Sequence, residues 1–214
     1  MYCIKTKDLN ISYGNIYIVK DLNLNIPKGK ITTIIGANGC GKSTLLKTIS
    51  RINKPKSGDI FINNKNIKKI KEKNIAKEVA FLPQGPVCPS GLTVRELVAF
   101  GRFPHQKMIG GLNSHDKDLI DWAIKETGLS EFADREVENL SGGQRQALTL
   151  LMAVMSNPKL LLLEEHTAAL DPKTSEKIME ITKKIVKERG ITTLMVTHNL
   201  KHAIDSGRSE ERRV

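Results

Sequence analysis

Hydrophobic positions along the chain follow two different periods, and each period predicts one type of secondary structure. Residues 2–35 carry alternating or β-branched segments, among them 16–19 and 22–26, which predict short β-strands before a turn at 27–29. Further strands follow later in the chain, and one of them, 160–163, is a continuous apolar run typical of a buried parallel strand. These predicted strands are residues 31–35, 79–82, 160–163 and 191–196.

Apolar residues three and four positions apart predict helices between those strands. Residues 43–50 place Leu45, Leu46 and Ile49 on one face of a predicted helix. Residues 142–155 form a second predicted helix, which leads to the apolar run at 160–163.

The remaining helical pattern divides into two parts. Residues 174–189 predict an amphipathic helix that stops at Gly190. Helical spacing also prevails from 93 to about 133, with a loop at 108–112. We therefore expect an inserted helical subdomain at about 90–150.

Charge and cysteine content narrow the function classes. The 214 residues carry a formal net charge of +11, but the lysines are dispersed and no aromatic residues alternate with them. We therefore expect no nucleic-acid partner, whereas attraction to an anionic membrane surface uses the charge equally well. Cys3, Cys40 and Cys88 are odd in number and scattered, which favours a reducing compartment over disulfide or metal sites. No apolar run of about 18 residues and no signal peptide is present.

A glycine-rich loop directly follows the predicted strand at 31–35. Its residues are Gly36, Ala37, Asn38, Gly39, Cys40, Gly41, Lys42 and Ser43, which match the phosphate-loop pattern G-x-x-x-x-G-K-[ST]. Backbone N–H groups and the positive end of the next helix would converge on the β- and γ-phosphates of a nucleotide. We expect Lys42 to bridge these phosphates and the Ser43 hydroxyl to bind Mg²⁺. Cys40 is either modifiable or an ordinary loop residue.

Polar side chains follow three of the predicted parallel strands, where the carboxyl ends of strands reach a ligand crevice. Glu164 and Glu165 follow the run at 160–163, His198 follows 191–196, and Gln84 follows 79–82. We expect Glu164 to hold Mg²⁺ through water and Glu165 to polarise the attacking water. Gln84 would contact the same Mg²⁺ and water, and His198 would donate to the γ-phosphate.

Tyr13 precedes Gly14 in a predicted turn. Its ring can stack against an adenine base, although an ordinary half-buried tyrosine fits the sequence nearly as well.

Together these motifs resemble the nucleotide-binding subunit of ATP-binding-cassette (ABC) transporters over residues 2 to about 205. The resemblance rests on 36–44, similar to the Walker A loop and ending at Thr44, and on Leu140-Ser141-Gly142-Gly143-Gln144, the unaltered family signature. Residues 160–165 are similar to Walker B, Gln84 to the Q-loop glutamine and His198 to the switch histidine. Tyr13 is similar to the adenine-stacking aromatic residue. Ala169-Leu170-Asp171 is similar to the D-loop.

The resemblance implies a fold, a cofactor and partners. The implied fold is α/β, with a P-loop NTPase core around a mainly parallel sheet, an N-terminal antiparallel β part and the inserted helical subdomain. The implied ligands are ATP and Mg²⁺, bound in a head-to-tail dimer in which each ATP contacts one chain's phosphate loop and the other chain's signature. The implied partners are a transmembrane permease, gripped near Gln84 and the helical subdomain, and through it a substrate-binding protein. The implied location is the cytoplasmic face of the cell membrane.

The cargo signal is divided. Residues 80–105 are similar to importers of ferric siderophores and cobalamin, whereas 158–173 are similar to a branch linked to amino-acid-type binding proteins. Our leading prediction is an ATP-hydrolysing importer subunit for a ferric siderophore-type complex. We also form the hypothesis that two genes were joined between residues 144 and 160. Sequencing reads that cover this interval at even depth would refute a misassembly.

Three departures from the family pattern bear on activity. Glu164 stands where Walker B has aspartate, His166 replaces the usual proline, and the chain stops soon after His198. One extra methylene at Glu164 could displace a Mg²⁺-bound water by about 1 Å, which can cost on the order of a hundredfold in rate.

We expect a single ATPase domain over 2–207, because residues 208–214 back-translate in one frame to AGATCGGAAGAGCGTCGTGT, a common sequencing adapter. A charged disordered tail is the alternative interpretation of these residues.

Two other functions stay open. A soluble cassette ATPase acting on nucleic acid or ribosomes would usually carry a second cassette or a long coiled-coil insertion, and the sequence has neither. A folded but inactive truncated cassette would show the same phosphate release with and without Glu165.

Overall fold

In the computed structural model, which describes residues 1–85, 89–106, 111–168 and 170–198, the N-terminal part forms an antiparallel sheet. The long strand β1 (Tyr2–Tyr13) lies between β2 (Ile16–Leu22) and β5 (Ser57–Ile62). The short strand β3 (Asn25–Pro27) also pairs with β1, and β6 (Lys65–Asn66) extends the sheet beyond β5. This arrangement confirms the predicted antiparallel β part.

A second sheet is parallel and carries the motifs. Its strand order is β4 (Ile31–Ile34), β9 (Thr192–Val196), β8 (Leu160–Glu164) and β7 (Val79–Leu82). All three pairings are parallel, so the carboxyl ends of the four strands share one edge. This sheet confirms the predicted α/β core, with β8 extended by one residue so that Glu164 lies inside the strand.

Six α-helices occur in the described parts of the chain: α1 (Lys42–Ile49), α2 (Glu72–Glu78), α3 (Val94–Phe100), α4 (Ser114–Glu126), α5 (Gly142–Met155) and α6 (Pro172–Arg189). Helix α5 has the predicted bounds. Helix α6 begins earlier than predicted because Asp171 is its N-cap and Pro172 occupies the first turn, and it ends at Gly190, whose φ of 61° is left-handed. Helices α3 and α4 lie inside the predicted subdomain, whose boundaries stay a prediction.

One local prediction was wrong, and several elements were missed. Residues 22–26 are not one strand, because β2 ends at Leu22, β3 begins at Asn25, and between them the Asn23 side chain accepts a hydrogen bond from the Asp8 N–H. The helical pattern at 93–133 forms two helices, α3 and α4, on either side of the predicted loop at 108–112. Strands β5 and β6 and helix α2 were not predicted. Cys88, Ala169, most of the predicted loop at 108–112 and all of 199–214 lie outside the described residues.

The core divides into two apolar clusters on either side of the parallel sheet. Leu161 and Leu163 of β8 pack toward α3, α4, α5 and α6, whereas Leu160 and Leu162 pack toward α1 and the antiparallel sheet. All four leucines are fully buried. Strand β8 is therefore held on both faces, which fixes the position of the acidic residues at its end.

Within the described parts of the chain, no helix is both long and apolar enough to cross a bilayer. The thiols of Cys3 and Cys40 are free, and burial raises the pKa of Cys3 above its ordinary value.

Candidate functional site

The glycine-rich loop connects β4 to α1 and wraps around the Lys42 ammonium group. Lys42 is buried, and its Nζ donates to the carbonyl oxygens of Gly36 and Ala37, both at 2.8 Å. Gly39 and Gly41 adopt φ of 80° and 95°, a left-handed conformation that side chains disfavour. The loop is therefore shaped around a fixed cation, as phosphate binding requires.

Gly41 has a second, steric reason to be glycine. A Cβ built there would lie 2.7 Å from Ile18 Cγ2, so the start of α1 rests directly on β2. The predicted phosphate-binding residues Ala37, Asn38, Gly39 and Cys40 are exposed, and Ser43 and Thr44 lie half-buried in the first turn of α1. This side of the loop is accessible to a ligand.

The acidic end of β8 is rigid and partly shielded. Glu164 is 5% exposed and pairs in register with Val196 of β9. Glu165 follows with a φ of 42°, unusual for a residue with a side chain, while its backbone N–H donates to the Val196 carbonyl at 2.9 Å. Such a conformation costs roughly 1–2 kcal/mol, and strain of this kind concentrates at functional sites.

The structure brings the three predicted catalytic residues together. Gln84 Nε2 donates to Glu165 Oε2 at 3.1 Å, and His198 Nδ1 lies 3.3 Å from Glu165 Oε1. The Glu165 side chain is 15% exposed, whereas the His198 side chain is 56% exposed. Both carboxylate oxygens of Glu165 thus have polar partners at the carboxyl edge of the parallel sheet.

The signature residues form the capped start of α5. Ser141 is the N-cap: its Oγ accepts from the Gln144 N–H at 3.2 Å, and its own N–H donates to Gln144 Oε1 at 2.8 Å. Ser141 and Gly142 are exposed, and Gly143 is half-buried. The N–H groups of Gly142 and Gly143 therefore begin a 14-residue helix whose positive end suits an anion.

Asp171 is the N-cap of α6. Its Oδ1 accepts from the Thr174 N–H at 3.1 Å. Hydrogen bonds from the Thr174 hydroxyl and then from backbone N–H groups hold the pKa of Asp171 below its ordinary value.

Tyr13 lies at the end of β1 with a 56% exposed side chain. Its hydroxyl accepts from Asn53 Nδ2 at 3.1 Å, which orients the ring. The predicted stacking on adenine stays a prediction.

The predicted Mg²⁺ ligands fit the chemistry of that cation. Ser43, Gln84 and Glu164 offer a hydroxyl, an amide and a carboxylate oxygen, the hard donors that Mg²⁺ prefers. Among the described residues, no group of three or more His, Cys, Asp or Glu is placed to hold a metal by itself. Phosphate oxygens and water would therefore have to complete the coordination.

Three residues near the site escaped sequence reasoning or were interpreted differently. Asn53 binds Tyr13, and Thr174 contacts both Asp171 and Gly143. His166 is 3% exposed, with Nε2 lying 3.3 Å from Thr182 Oγ1 on α6. The only sequence signal was Asp-Pro-x-Thr, which is typical of a helix start and could have identified Thr174 as a capping partner.

Comparisons with known proteins agree with this geometry. Residues 19–168 match the family described as ABC transporter. The iron(3+)-hydroxamate import ATP-binding protein FhuC of Bacillus subtilis is 52% identical over 203 residues, covering 95% of this chain and 76% of the relative. The tyrosine transport ATP-binding protein of Clostridioides difficile is 42% identical over 216 residues, covering 95% and 85%.

A solved structure gives the same fold. It is a dimeric, post-hydrolysis state of an ATP-binding cassette bound to ADP and Pi, 33% identical, with a TM-score of 0.79 over 94% of this chain and 90% of that chain. The predicted fold class and family are both confirmed. The chain belongs to the ABC transporter family and is one of its ATP-binding, ATP-hydrolysing subunits.

Proposed function

We propose that Glu165 is the group that polarises the attacking water, with Gln84 and His198 holding its two carboxylate oxygens. The observation that carries this proposal is the convergence of these three side chains, at 3.1 and 3.3 Å, where β7, β8 and β9 end. A positioned acid or base contributes typically about 10²–10⁴-fold to rate. Lys42 and the loop N–H groups would bind the phosphates beyond the end of β4, the strand next to β9.

Ser43, Gln84 and Glu164 are the residues that would hold Mg²⁺ beside the phosphates. When bound, the cation would neutralise charge that develops on the transferring phosphoryl group. Glu164 extends from the last position of β8 and is buried by its neighbours. The displacement that its extra methylene could cause stays a prediction.

Each ATP would be held by two copies of the chain in a head-to-tail dimer. The exposed, capped N-terminus of α5 supports this arrangement, because the N–H groups of Gly142 and Gly143 lie in the first turn, where a helix offers them no acceptor of its own. Asp171 and Tyr13 would complete the nucleotide contacts. The solved cassette bound to ADP and Pi is itself dimeric.

The cargo we propose is a ferric siderophore-type complex of the hydroxamate class. Support comes from the 52% identity to an iron(3+)-hydroxamate import subunit, compared with 42% to a tyrosine transport subunit. Deletion of the gene should abolish uptake of radiolabelled iron hydroxamate and leave tyrosine and cobalamin uptake intact. Loss of tyrosine or cobalamin uptake instead would assign the chain to that substrate.

The hypothesis that two genes were joined between residues 144 and 160 stays a prediction.

A groove beside β7 supports docking of a transmembrane permease, with a substrate-binding protein acting through it. The groove has a volume of about 590 Å³. Its apolar walls are formed by Ile52, Ile60, Ile67, Ile75, Ala76, Val79 and Phe81. Val79 and Phe81 of β7 line the groove, so an occupant would contact the strand that leads to Gln84.

The charge of this groove selects its occupant. Arg51, Lys54 and Lys68 line it with one acid, Glu72. Arg51 lies 3.9 Å from Glu72 and Lys68 lies 3.1 Å from Asp59, so among the described residues Lys54 is the cation of this lining that forms no ion pair. Arg51 is fixed by hydrogen bonds to the carbonyl oxygens of Ile67 and Ile70. An apolar helix that carries a carboxylate fits this lining, and a cytoplasmic helix of the permease could provide it. The chain would then work at the cytoplasmic face of the membrane.

We expect Ile52→Asp to reduce the membrane-bound fraction of the chain in its own cells at least about tenfold, since a carboxylate facing the occupant's acid costs more than about 1.4 kcal/mol. Ile52 is 61% exposed, so the change should not unfold the chain. Fractionation with crosslinking would measure the effect, and the crosslinked partner should be a polytopic membrane protein. Ile16→Asp, at a 71% exposed position outside the groove lining, is the matched control. Equal membrane binding by the two variants would contradict this docking site.

A further inference from the structure

The N-termini of α5 and α6 contact each other at a single close point. A Cβ built on Gly143 would lie 2.4 Å from Thr174 Cγ2, and one built on Gly142 would lie 3.8 Å from Leu170 Cδ2. The first distance is shorter than packed atoms tolerate, whereas the second is an ordinary contact. Thr174 therefore occupies the space where any other residue at position 143 would place its side chain.

Backbone conformation gives no second reason for glycine at this position. Gly143 lies in the first turn of α5 with helical geometry, which residues with side chains adopt without strain. Glycine at 143 must therefore serve a close approach. Two groups could come this close to Gly143: the Thr174 methyl group of the same chain, and a phosphate of bound nucleotide.

Thr174 is held in place from its other side. Its backbone N–H donates to Asp171 Oδ1 at 3.1 Å, and Asp171 is the N-cap of α6. In this position the Thr174 methyl group lies toward Gly143, whereas Oγ1 would be 3.9 Å from a Cβ built there. Thr174 is thus clamped between the start of α6 and the start of α5.

Backbone hydrogen bonds lie between Glu165 and the cap of α6, on the described residues to each side of Ala169. The Ala168 N–H donates to the Glu165 carbonyl at 3.0 Å, and the Leu170 N–H donates to the Thr167 carbonyl at 3.3 Å. Asp171 follows at once and caps α6. The described residues on each side of Ala169 are therefore tied by backbone hydrogen bonds to Glu165 on one side and by the α6 cap on the other.

We propose that Thr174 is a positioning residue that holds the signature, Ser141 to Gln144, against the start of α6. This inference rests on the proposed function, in which the signature binds ATP across the dimer. The Thr174 methyl group sets how closely the signature approaches the start of α6, and the backbone N–H bond to Asp171 holds Thr174 itself in place. A displacement of about 1 Å at such a position can change rate on the order of a hundredfold.

A double-mutant cycle tests the inference. Gly143→Ala alone should lower ATP hydrolysis by about a hundredfold through the steric conflict. Thr174→Ser removes the methyl group and keeps the hydroxyl, which leaves Thr174 Cβ and Oγ1 as the next neighbours at 3.7 and 3.9 Å, both ordinary contacts. In the Thr174→Ser background, Gly143→Ala should therefore lower the rate by less than about fivefold, an interaction that only coupled residues display.

Thr174→Val is the matched control, because valine keeps a methyl group at the position of Cγ2. Gly143→Ala should not be rescued in that background. ATP-dependent dimerisation is measured for the same set of variants, which distinguishes a misplaced signature from general damage to the fold. Thermal unfolding checks that each variant is folded.

One result would overturn the inference: a Gly143→Ala effect of equal size in the Thr174, Ser and Val backgrounds. Glycine would then be needed only for the approach to phosphate. Failure of the proposed function is distinguishable, since the wild-type chain would then show no ATP hydrolysis or no ATP-dependent dimer in the first place.

Discussion

Glutamine at position 165 should lower the rate of ATP hydrolysis by about a thousandfold, within the range typical of a lost acid–base group. The amide keeps the size of the carboxylate and can still bond to Gln84, but it cannot accept a proton from water. Because Gln84 and His198 lie at 3.1 and 3.3 Å from the two carboxylate oxygens, the geometry should survive the change. Nucleotide affinity should stay near that of the wild type. Phosphate release and equilibrium nucleotide binding are the two measurements.

The control for this prediction is Glu188→Gln, an identical change at an exposed position of α6. It should leave phosphate release unchanged. If Glu165→Gln hydrolyses ATP as fast as Glu188→Gln, the assignment of Glu165 is wrong. If the wild-type chain is equally inactive, the interpretation as an inactive cassette replaces it.

Replacing Arg102 by methionine should destabilise the chain by about 3–5 kcal/mol, the usual result of breaking a buried ion pair from one side. Arg102 Nε lies 2.7 Å from Asp116 Oδ1, and the two side chains are 7% and 2% exposed. Asp116 also caps α4 by accepting from the Asn113 N–H, and Arg102 donates to the Met155 carbonyl of α5. The variant would leave a carboxylate buried among α3, α4 and α5 without its cation. Urea unfolding followed by circular dichroism would measure the loss.

Arg95→Met is the matched control on α3. Arg95 pairs with Asp121, but its side chain is 47% exposed, and exposed pairs contribute roughly 0–1 kcal/mol. A loss for Arg102→Met no larger than that for Arg95→Met would contradict the prediction.

The pH dependence of stability is an independent test of the Arg102–Asp116 ion pair. Burial alone would raise the pKa of Asp116, but the Arg102 guanidinium and the Asn113 N–H lower it below the ordinary value of 3.8. A lowered pKa in the folded state contributes stability that is complete above the unfolded pKa and is lost as pH falls through the folded one. The wild-type chain should therefore lose stability below about pH 4, and Arg102→Met should lose less over the same interval.

The parts of the fold that sequence predicts well are those with strong local signals. Helix α5 has its capping pair at Ser141 and Gln144 and an apolar face, and its bounds were predicted correctly. The apolar runs of β7, β8 and β9 identified the parallel sheet. The order of motifs at the ends of these strands then placed Gln84, Glu165 and His198 at one edge.

Other elements depend on distant partners and leave little local signal. Strand β5 pairs with β1, and a Cβ on Gly58 would lie 2.3 Å from the Asp8 carbonyl, so the strand forms because β1 is already there. Helix α2 has seven residues and one buried side chain, Ile75, which is too little for a detectable period. Thr174 likewise acquires its role only when α5 and α6 meet.

Mixing two defective variants tests most directly whether each ATP is held by two chains. In the Glu165→Gln background, Lys42→Ala removes the phosphate-loop cation and Ser141→Arg blocks the signature, so neither variant alone should retain ATP. Because a head-to-tail pair of the two contains one intact site, the mixture should retain one ATP per two chains and elute as a dimer. ATP retained by either variant alone, or no gain on mixing, would contradict the account.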